Sequence, residues 1–305
     1  MNRQDPHQAA ANLSCQTAFV LSGGGSLGAV QVGMLKALTE TGIRPGLLIG
    51  ASVGAINAAW MAGRPTHDGA LELAKIWLGL RRSDVFPLSP WSGARGLIGR
   101  SNHVISNGNL RVLLEKHIPF RRLEQAQMPV HIITTELKTG RAFDISSGPA
   151  VPALLASTAI PGVFPPVIIG QRTLIDGGIA SHTPIAAAIE LGAKKIYVLP
   201  VSYTWLNQEP TNALGMALHA LARFVEQKVD IEVAAHKDVA DIHVLGASDL
   251  PPVSPADFSR TKDLIERGYD STLRYLDCAP APVNAPAQVT RRRLLGFDRS
   301  PVRAA

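Results

Sequence analysis

The chain has 305 residues, 46% of them hydrophobic, and a mean hydropathy of +0.12. That much apolar side chain excludes a disordered protein and suffices for one large domain or two small ones. The net charge of +6 is compatible with an anionic partner, yet the cations are spread along the chain, and no nucleic-acid partner is expected.

Cys15 and Cys278, the two cysteines, make no disulfide framework and fit a reducing compartment. No Cys/His group has zinc spacing, so no metal is expected. Residues 1–16 are polar, lack the apolar segment of a secretory signal, and are expected to be a flexible N-terminus. The charge-free stretches Gly46–Gly63 and Ile145–Gln171 are broken by glycines and prolines. They read as buried core rather than membrane spans.

Thr17–Leu21 reads as the first strand, followed by Ser22-Gly23-Gly24-Gly25-Ser26-Leu27-Gly28. A helix is expected from Ala29 to Thr41, with Val30, Met34, Leu35 and Leu38 on one face. Strand, glycine loop and helix together offer backbone N–H groups at a helix N-terminus, where negative charge is favoured. Gly23, Gly25 and Gly28 also fit the G-x-G-x-x-G of a dinucleotide site, which requires an acidic residue closing the second strand. The second strand, Leu47–Gly50, runs instead into Ala51-Ser52-Val53-Gly54, so a nucleotide cofactor is disfavoured.

Gly50, Ser52 and Gly54 make a G-x-S-x-G frame between an apolar strand and an Ala-rich helix. A serine on such a corner is pushed out of the backbone path with its hydroxyl exposed. Beside a nest of N–H donors it has what acyl transfer needs, a nucleophile and an oxyanion hole.

Thr66–Leu80 reads as helical. Arg81–Asn107 has no period and carries Phe86, Pro87, Leu88, Pro90, Trp91, Leu97 and Ile98; a lid or acyl-chain entrance and an insertion packed on the core are both open there. A short helix is expected over Asn109–His117, capped by Asn107 or Ser106, and a hairpin over Val130–Thr135 and Arg141–Ile145. Pro149–Ser157 reads as a helix leading into a rigid proline loop, Ala159–Pro166. Two short strands follow, Val167–Ile169 and Thr173–Ile175, and then Asp176-Gly177-Gly178. Taken alone this tripeptide is either a turn or an aspartate facing a cleft. The remaining expectations are a helix over Pro184–Leu191 and a strand over Lys195–Pro200. A long helix over Thr211–His236 carries Leu214, Leu218, Leu221 and Val225 on one face. A strand over Asp241–Leu245 and a helix over Phe258–Leu276 end the folded part. Residues 279–305, rich in Pro, Ala and Arg, are expected to be a basic disordered tail able to meet an anionic membrane. Strands alternating with helices indicate an α/β fold with a largely parallel sheet.

Four segments occur in order: Gly23–Gly28, Gly50–Gly54, Ala156–Pro166 and Asp176–Gly178. Together they resemble the motifs of the patatin-like phospholipases, over roughly Thr17 to Pro200. The resemblance implies an α/β fold, a three-layer α/β/α sandwich with a mainly parallel central sheet. It implies a single catalytic domain over 17–278, motif-bearing over 17–200 and helical over 211–278. It implies a serine–aspartate dyad, with Ser52 the nucleophile and Asp176 its base. Gly23, Gly24, Gly25, Ser26 and Gly28 would form the oxyanion hole, and Gly50, Gly54, Gly177 and Gly178 are the motif glycines. The substrate would be a lipid acyl ester (phospholipid, lysophospholipid or acylglycerol), cleaved through an acyl-serine without metal or organic cofactor. The protein would be cytoplasmic, with peripheral contact at the inner membrane surface; its oligomeric state is open.

Leu27 stands where the family usually has Lys or Arg. Backbone donors survive that change, but a cation for an anionic head group does not. An ordinary aspartate, with a pKa near ~3.9, is a poor base at neutral pH; desolvation in a cleft would raise it. The alternative is a Ser-His-Asp triad through His182, against a core or surface role for that histidine. Two other functions stand beside lipid hydrolysis. One is an esterase or thioesterase for small soluble acyl donors, the other a non-catalytic lipid-binding regulator that keeps the fold.

Overall fold

The computed structural model describes residues 17–87, 102–207, 209–210, 213–247 and 250–278. The expectations for residues 1–16, most of the aperiodic stretch 81–107, the side chain of Leu214 and the tail 279–305 lie outside the described residues. The strands are β1 (Thr17–Leu21), β2 (Leu47–Ala51), β3 (Val130–Glu136), β4 (Ala142–Ile145), β5 (Val167–Ile169), β6 (Arg172–Asp176), β7 (Lys195–Leu199) and β8 (Asp241–Val244). The helices are α1 (Ala29–Glu40), α2 (Val53–Gly63), α3 (His67–Gly79), α4 (Arg82–Val85), α5 (Gly108–His117), α6 (Ala150–Ser157), α7 (Ile185–Glu190), α8 (Ala213–His236) and α9 (Thr261–Cys278).

All eight strands join one sheet. β3, β2, β1, β7 and β8 run parallel, while β4 and β6 pair antiparallel with β3, and β5 antiparallel with β6. β2 is buried at every residue, and β1 at every residue after Thr17, which explains their unbroken apolar sequences. Alternate residues serve two cores. Phe19, Leu21 and Leu48 face the larger, built with α1, α2, α3, α5, α6 and α9. Ala18, Val20 and Ile49 face the smaller, built with α7 and touched by Val233 of α8. The result is a three-layer α/β/α sandwich with a mainly parallel sheet. Among the described residues no helix is long and apolar enough to cross a membrane.

Local chemistry sets the element ends. Thr66 caps α3 by accepting from the Gly69 N–H at 3.1 Å. Ahead of α5, Ser106 Oγ accepts from the Gly108 N–H at 3.2 Å, whereas Asn107 makes no side-chain cap bond. The last helix starts at Thr261 rather than Phe258, and the Thr261 hydroxyl donates to the Phe258 carbonyl at 2.8 Å in the turn ahead of it. The described residues after 200 form no separate appendage. β8 extends the sheet beside β7, and α9 lies against α1 with backbone touching backbone. A Cβ on Gly33 would fall 2.0 Å from the Ile265 carbonyl oxygen, and one on Gly268 2.1 Å from that of Val30.

The register around β3 places the site. β4 pairs with β3 over Ile132–Thr135, and β2 pairs with it over Val130–Ile133. A strand has two edges, so β2 and β4 hold opposite ones. β2 ends at Ala51, opposite Ile133, and β6 then pairs with β3 from Thr134 to Glu136, with Asp176 opposite Thr134. Since β4 still holds the other edge there, β6 takes up the edge that β2 has left. Ser52, next after Ala51, therefore meets Asp176 end to end.

Candidate active site

Ser52 follows β2 and precedes α2, at φ 54° and ψ −126°. Among the described residues it is the one non-glycine with positive φ, a conformation that costs about 1–3 kcal/mol and has to be held by its surroundings. The neighbouring glycines let other backbone close in on the corner. A Cβ on Gly54 would sit 2.4 Å from the Leu21 carbonyl oxygen, and one on Gly50 2.4 Å from that of Gly54. The Ser52 N–H donates to Ser157 Oγ at 2.9 Å, and the Ser157 hydroxyl donates to the Ile133 carbonyl at 2.6 Å. Ser157 thus fastens the elbow to β3 at the point where β2 departs.

Asp176 ends β6 and caps the 3-10 turn Gly177–Ile179. Its Oδ1 accepts from the Gly178 N–H at 2.8 Å. Its N–H donates to Ala159 O at 3.0 Å, and its carbonyl accepts from Thr135 Oγ1 at 2.8 Å. Gly177 passes over β3 so closely that a Cβ would lie 2.1 Å from Ile133 O. Burial pushes the Asp176 carboxyl up to about 6, against the opposing pull of the Ser52 hydroxyl and the Gly178 N–H. Its Oδ2 is buried and has no hydrogen-bond partner.

Gly23, Gly24 and Gly25 line the same cavity as Ser52 and Asp176. Gly25–Gly28 is not an open loop but a 3-10 turn leading into α1. Within it the Ser26 N–H donates to Pro255 O at 2.8 Å and the Ser26 hydroxyl to Ser254 O at 3.0 Å. The Ser26 amide is therefore committed to the 254–255 segment rather than to the cleft. Gly28 faces Val53 and Trp77, where a Cβ would collide. Gly24 and Gly25 stand at the start of the turn, where amides have no acceptor within the helix.

A polar network buried in the larger core holds this loop. Gln31 Nε2 donates to Ser22 O (2.8 Å) and Leu199 O (2.9 Å). Asn57 Nδ2 donates to Gly28 O (3.1 Å) and Gln31 Oε1 (2.9 Å), and Trp77 Nε1 donates to Asn57 Oδ1 at 3.0 Å. Sequence reasoning missed Gln31, Asn57 and Ser157. Their signal was a polar residue inside an otherwise apolar helix, which is costly unless bonded.

His182 is buried on the cavity wall, its Nε2 3.2 Å from Tyr203 Oη. Tyr203 also donates to Gly23 O at 3.4 Å. Burial, with the charges of Asp176 and Glu226 adding to it, pushes the Tyr203 hydroxyl up, so it stays protonated. Leu27 is 2% exposed, its side chain in the core. Among the described residues no group of three or more His, Cys, Asp or Glu could hold a metal ion. The cavity over Ser52 and Asp176 measures about 460 Å³, and its walls, with Phe86, Val163, Leu218 and Val225, are mainly carbon.

A family model of the patatin-like phospholipases matches residues 19–189, more than half of the chain. The chain belongs to the patatin-like phospholipase family. Related family proteins include a lysophospholipase NTE1 of Mycosarcoma maydis, 25% identical over 183 residues, which cover 60% of this chain and 9% of that protein. Patatin-like phospholipase domain-containing protein 7 of Rattus norvegicus is 26% identical over 193 residues, covering 60% and 13%. An uncharacterised NTE family protein of Mycobacterium bovis is 29% identical over 179 residues, covering 57% and 45%. The chain thus spans less than half the length of each of these relatives.

Proposed function

We propose that the protein is a serine acyl hydrolase that cleaves carboxylic esters of lipids, with Ser52 as nucleophile and Asp176 as base. The observation that carries this reading is a strained, positive-φ serine in the same cavity as a buried aspartate with an unsatisfied oxygen. In the first step the Ser52 hydroxyl gives its proton to Asp176 as Oγ attacks the ester carbonyl carbon. The Gly24 and Gly25 N–H groups hold the resulting oxyanion. Collapse expels the alcohol, which takes the proton from Asp176 and leaves an acyl-Ser52. Water, deprotonated by Asp176, then attacks the acyl carbon, and the proton returns to Ser52 as the fatty acid leaves.

A carboxyl lifted to about 6 is a better base than an ordinary aspartate and is still ionised at neutral pH. The carbon-lined cavity favours lipid over small soluble acyl donors, and the assembled pair favours catalysis over a purely regulatory role. Lipid substrates bring the protein to a membrane surface, and Arg291, Arg292, Arg293, Arg299 and Arg303 would be drawn to anionic headgroups.

An alkyl fluorophosphonate should label Ser52, read by mass spectrometry. Ser52→Ala should not label, and should lose lipid ester hydrolysis by about 10³-fold or more. A folded wild type that neither labels nor hydrolyses any of a panel of phospholipids, lysophospholipids and acylglycerols would refute the proposal. His182→Gln separates dyad from triad. With Nε2 engaged by Tyr203, hydrolysis should fall less than about tenfold, whereas a loss equal to that of Asp176→Asn would make His182 the base.

A further inference from the structure

A second cavity, of about 80 Å³, opens from the same serine. It shares Ser52, Gly25, Phe86 and Ile160 with the larger one, and continues between α2, α3 and α5 past Val53, Trp60, Leu73 and Trp77. Its few polar groups are turned away. Trp60 Nε1 donates to Gly69 O (2.9 Å), Trp77 Nε1 to Asn57 Oδ1 (3.0 Å) and Thr158 Oγ1 to Leu154 O (2.8 Å). Between Ser52 at its mouth and His117 at its far end, what remains facing inward is carbon. The larger cavity, by contrast, carries Arg82, Asp176, His182 and Tyr203 on its walls.

At its far end the narrow cavity meets a surface groove between α3 and α5. Four residues, Ile76, Leu80, Leu113 and His117, line both. Beyond them the groove turns polar, with Lys75, Asp84 and Lys116. His117 stands at this boundary, its imidazole held below the usual range by burial and the neighbouring Lys116.

We propose that the first methylenes of the acyl chain lie in this narrow cavity, with the alcohol part in the larger one, and that Ile76, Leu80, Leu113 and His117 form the stop that sets how many of them it takes. The inference rests on the hydrolase reading and adds the division of the substrate between two spaces meeting at Ser52. A chain running from the acyl carbon toward α5 gains apolar contact with each methylene until it reaches the ring. Beyond the ring a further methylene meets Lys75, Asp84 and Lys116 and gains nothing.

The test compares ethyl and octyl fluorophosphonates by their rates of labelling Ser52, and acetyl and octanoyl p-nitrophenyl esters by kcat/KM. Leu113→Trp and Ile76→Phe fill the end of the cavity and should each lower the long-to-short ratio about tenfold or more. Leu113→Ala opens it and should raise the ratio, by about fourfold for each methylene newly accommodated. Ile168→Trp, on the exposed edge strand β5, should leave the ratio unchanged. Each variant is checked for native circular dichroism. If Leu113→Trp does not fold, Ile76→Phe and Leu113→Ala decide the matter in its place. Ratios within twofold of wild type in the folded variants, with Ser52 still labelled, overturn the chain-length stop alone. Absence of Ser52 labelling by either probe in the wild type overturns the hydrolase reading and this inference with it.

Discussion

Ser52 and Asp176 are delivered to neighbouring places on one edge of β3 by strands of different kinds. β2 is central, parallel and buried along its whole length, and it ends in a corner where Gly50 and Gly54 have no room for a side chain. β6 is antiparallel, one strand from the sheet edge, with β5 outside it exposing Ile168 at 72%. Asp176 is fixed by hydrogen bonds to Ala159, Thr135 and Gly178, with Gly177 packed against β3 beside it. The comparison teaches that Ser52, the proposed nucleophile, is positioned mainly by close packing, and Asp176, the proposed base, mainly by hydrogen bonding in a dry pocket. The two sides should therefore fail in different ways when altered.

The largest expected effect falls on chemistry. Asp176→Asn keeps an acceptor for Gly178 but cannot take a proton, so steady-state hydrolysis should drop by about 10²–10⁴-fold. In the wild type kcat/KM should rise with pH through about 6 and then level off, as the Asp176 carboxyl ionises. A flat profile across that range would remove Asp176 as the base.

Next comes packing at the elbow. Gly54→Ala drives a Cβ against the Leu21 and Ser22 carbonyl oxygens, at 2.4 and 2.5 Å, and backbone cannot yield as a side-chain tip does. A loss of about 3 kcal/mol or more in denaturant unfolding is expected. A variant as stable as wild type would show the corner to be looser than described.

The aspartate side should respond with the opposite sign. A carboxyl raised from 3.8 to about 6 holds its proton more tightly folded than unfolded. Its contribution to stability is fully present below about pH 4, falls away as pH rises through about 6, and leaves a cost of about 3 kcal/mol at neutral pH. Asp176→Asn should therefore stabilise the fold near neutral pH by up to about that amount, and change it little near pH 4. Equal effects at both pH values would contradict the burial argument.

The smallest effect is expected where the two sides are tied together. Ser157→Ala leaves the Ser52 N–H and the Ile133 carbonyl without their shared partner, at a cost of about 1–3 kcal/mol. Because the elbow's steric frame stays in place, Ser52 labelling should persist at a reduced rate. Loss of labelling in a folded Ser157→Ala would show that the hydrogen bond, rather than the glycines, holds the corner.

Much of this was legible along the chain. Apolar runs located the strands, helical spacing the helices, and the order of the glycine loop, G-x-S-x-G and Asp-Gly-Gly pointed to the family. These features are local, governed by backbone sterics and short-range periodicity, and the residues themselves carry them. Other features were not legible. Asp176-Gly177-Gly178 reads equally well as a plain turn, and nothing in it says that β6 will occupy the edge of β3 that β2 vacates after Ile133. The Ser26 amide belongs to the loop by sequence but to Pro255 in space. Gly33 and Gly268 look like helix weaknesses until α1 and α9 cross on them.

The sequence by itself determined the elements, the strained corner and the chemical types at the site, because each depends on residues a few positions apart. Tertiary structure alone decided that Ser52 and Asp176 are neighbours, that the carboxyl is dry enough to sit near 6, and that two cavities meet at the serine. Those depend on strand register and on what covers what, which are set by the packing of segments far apart in the chain.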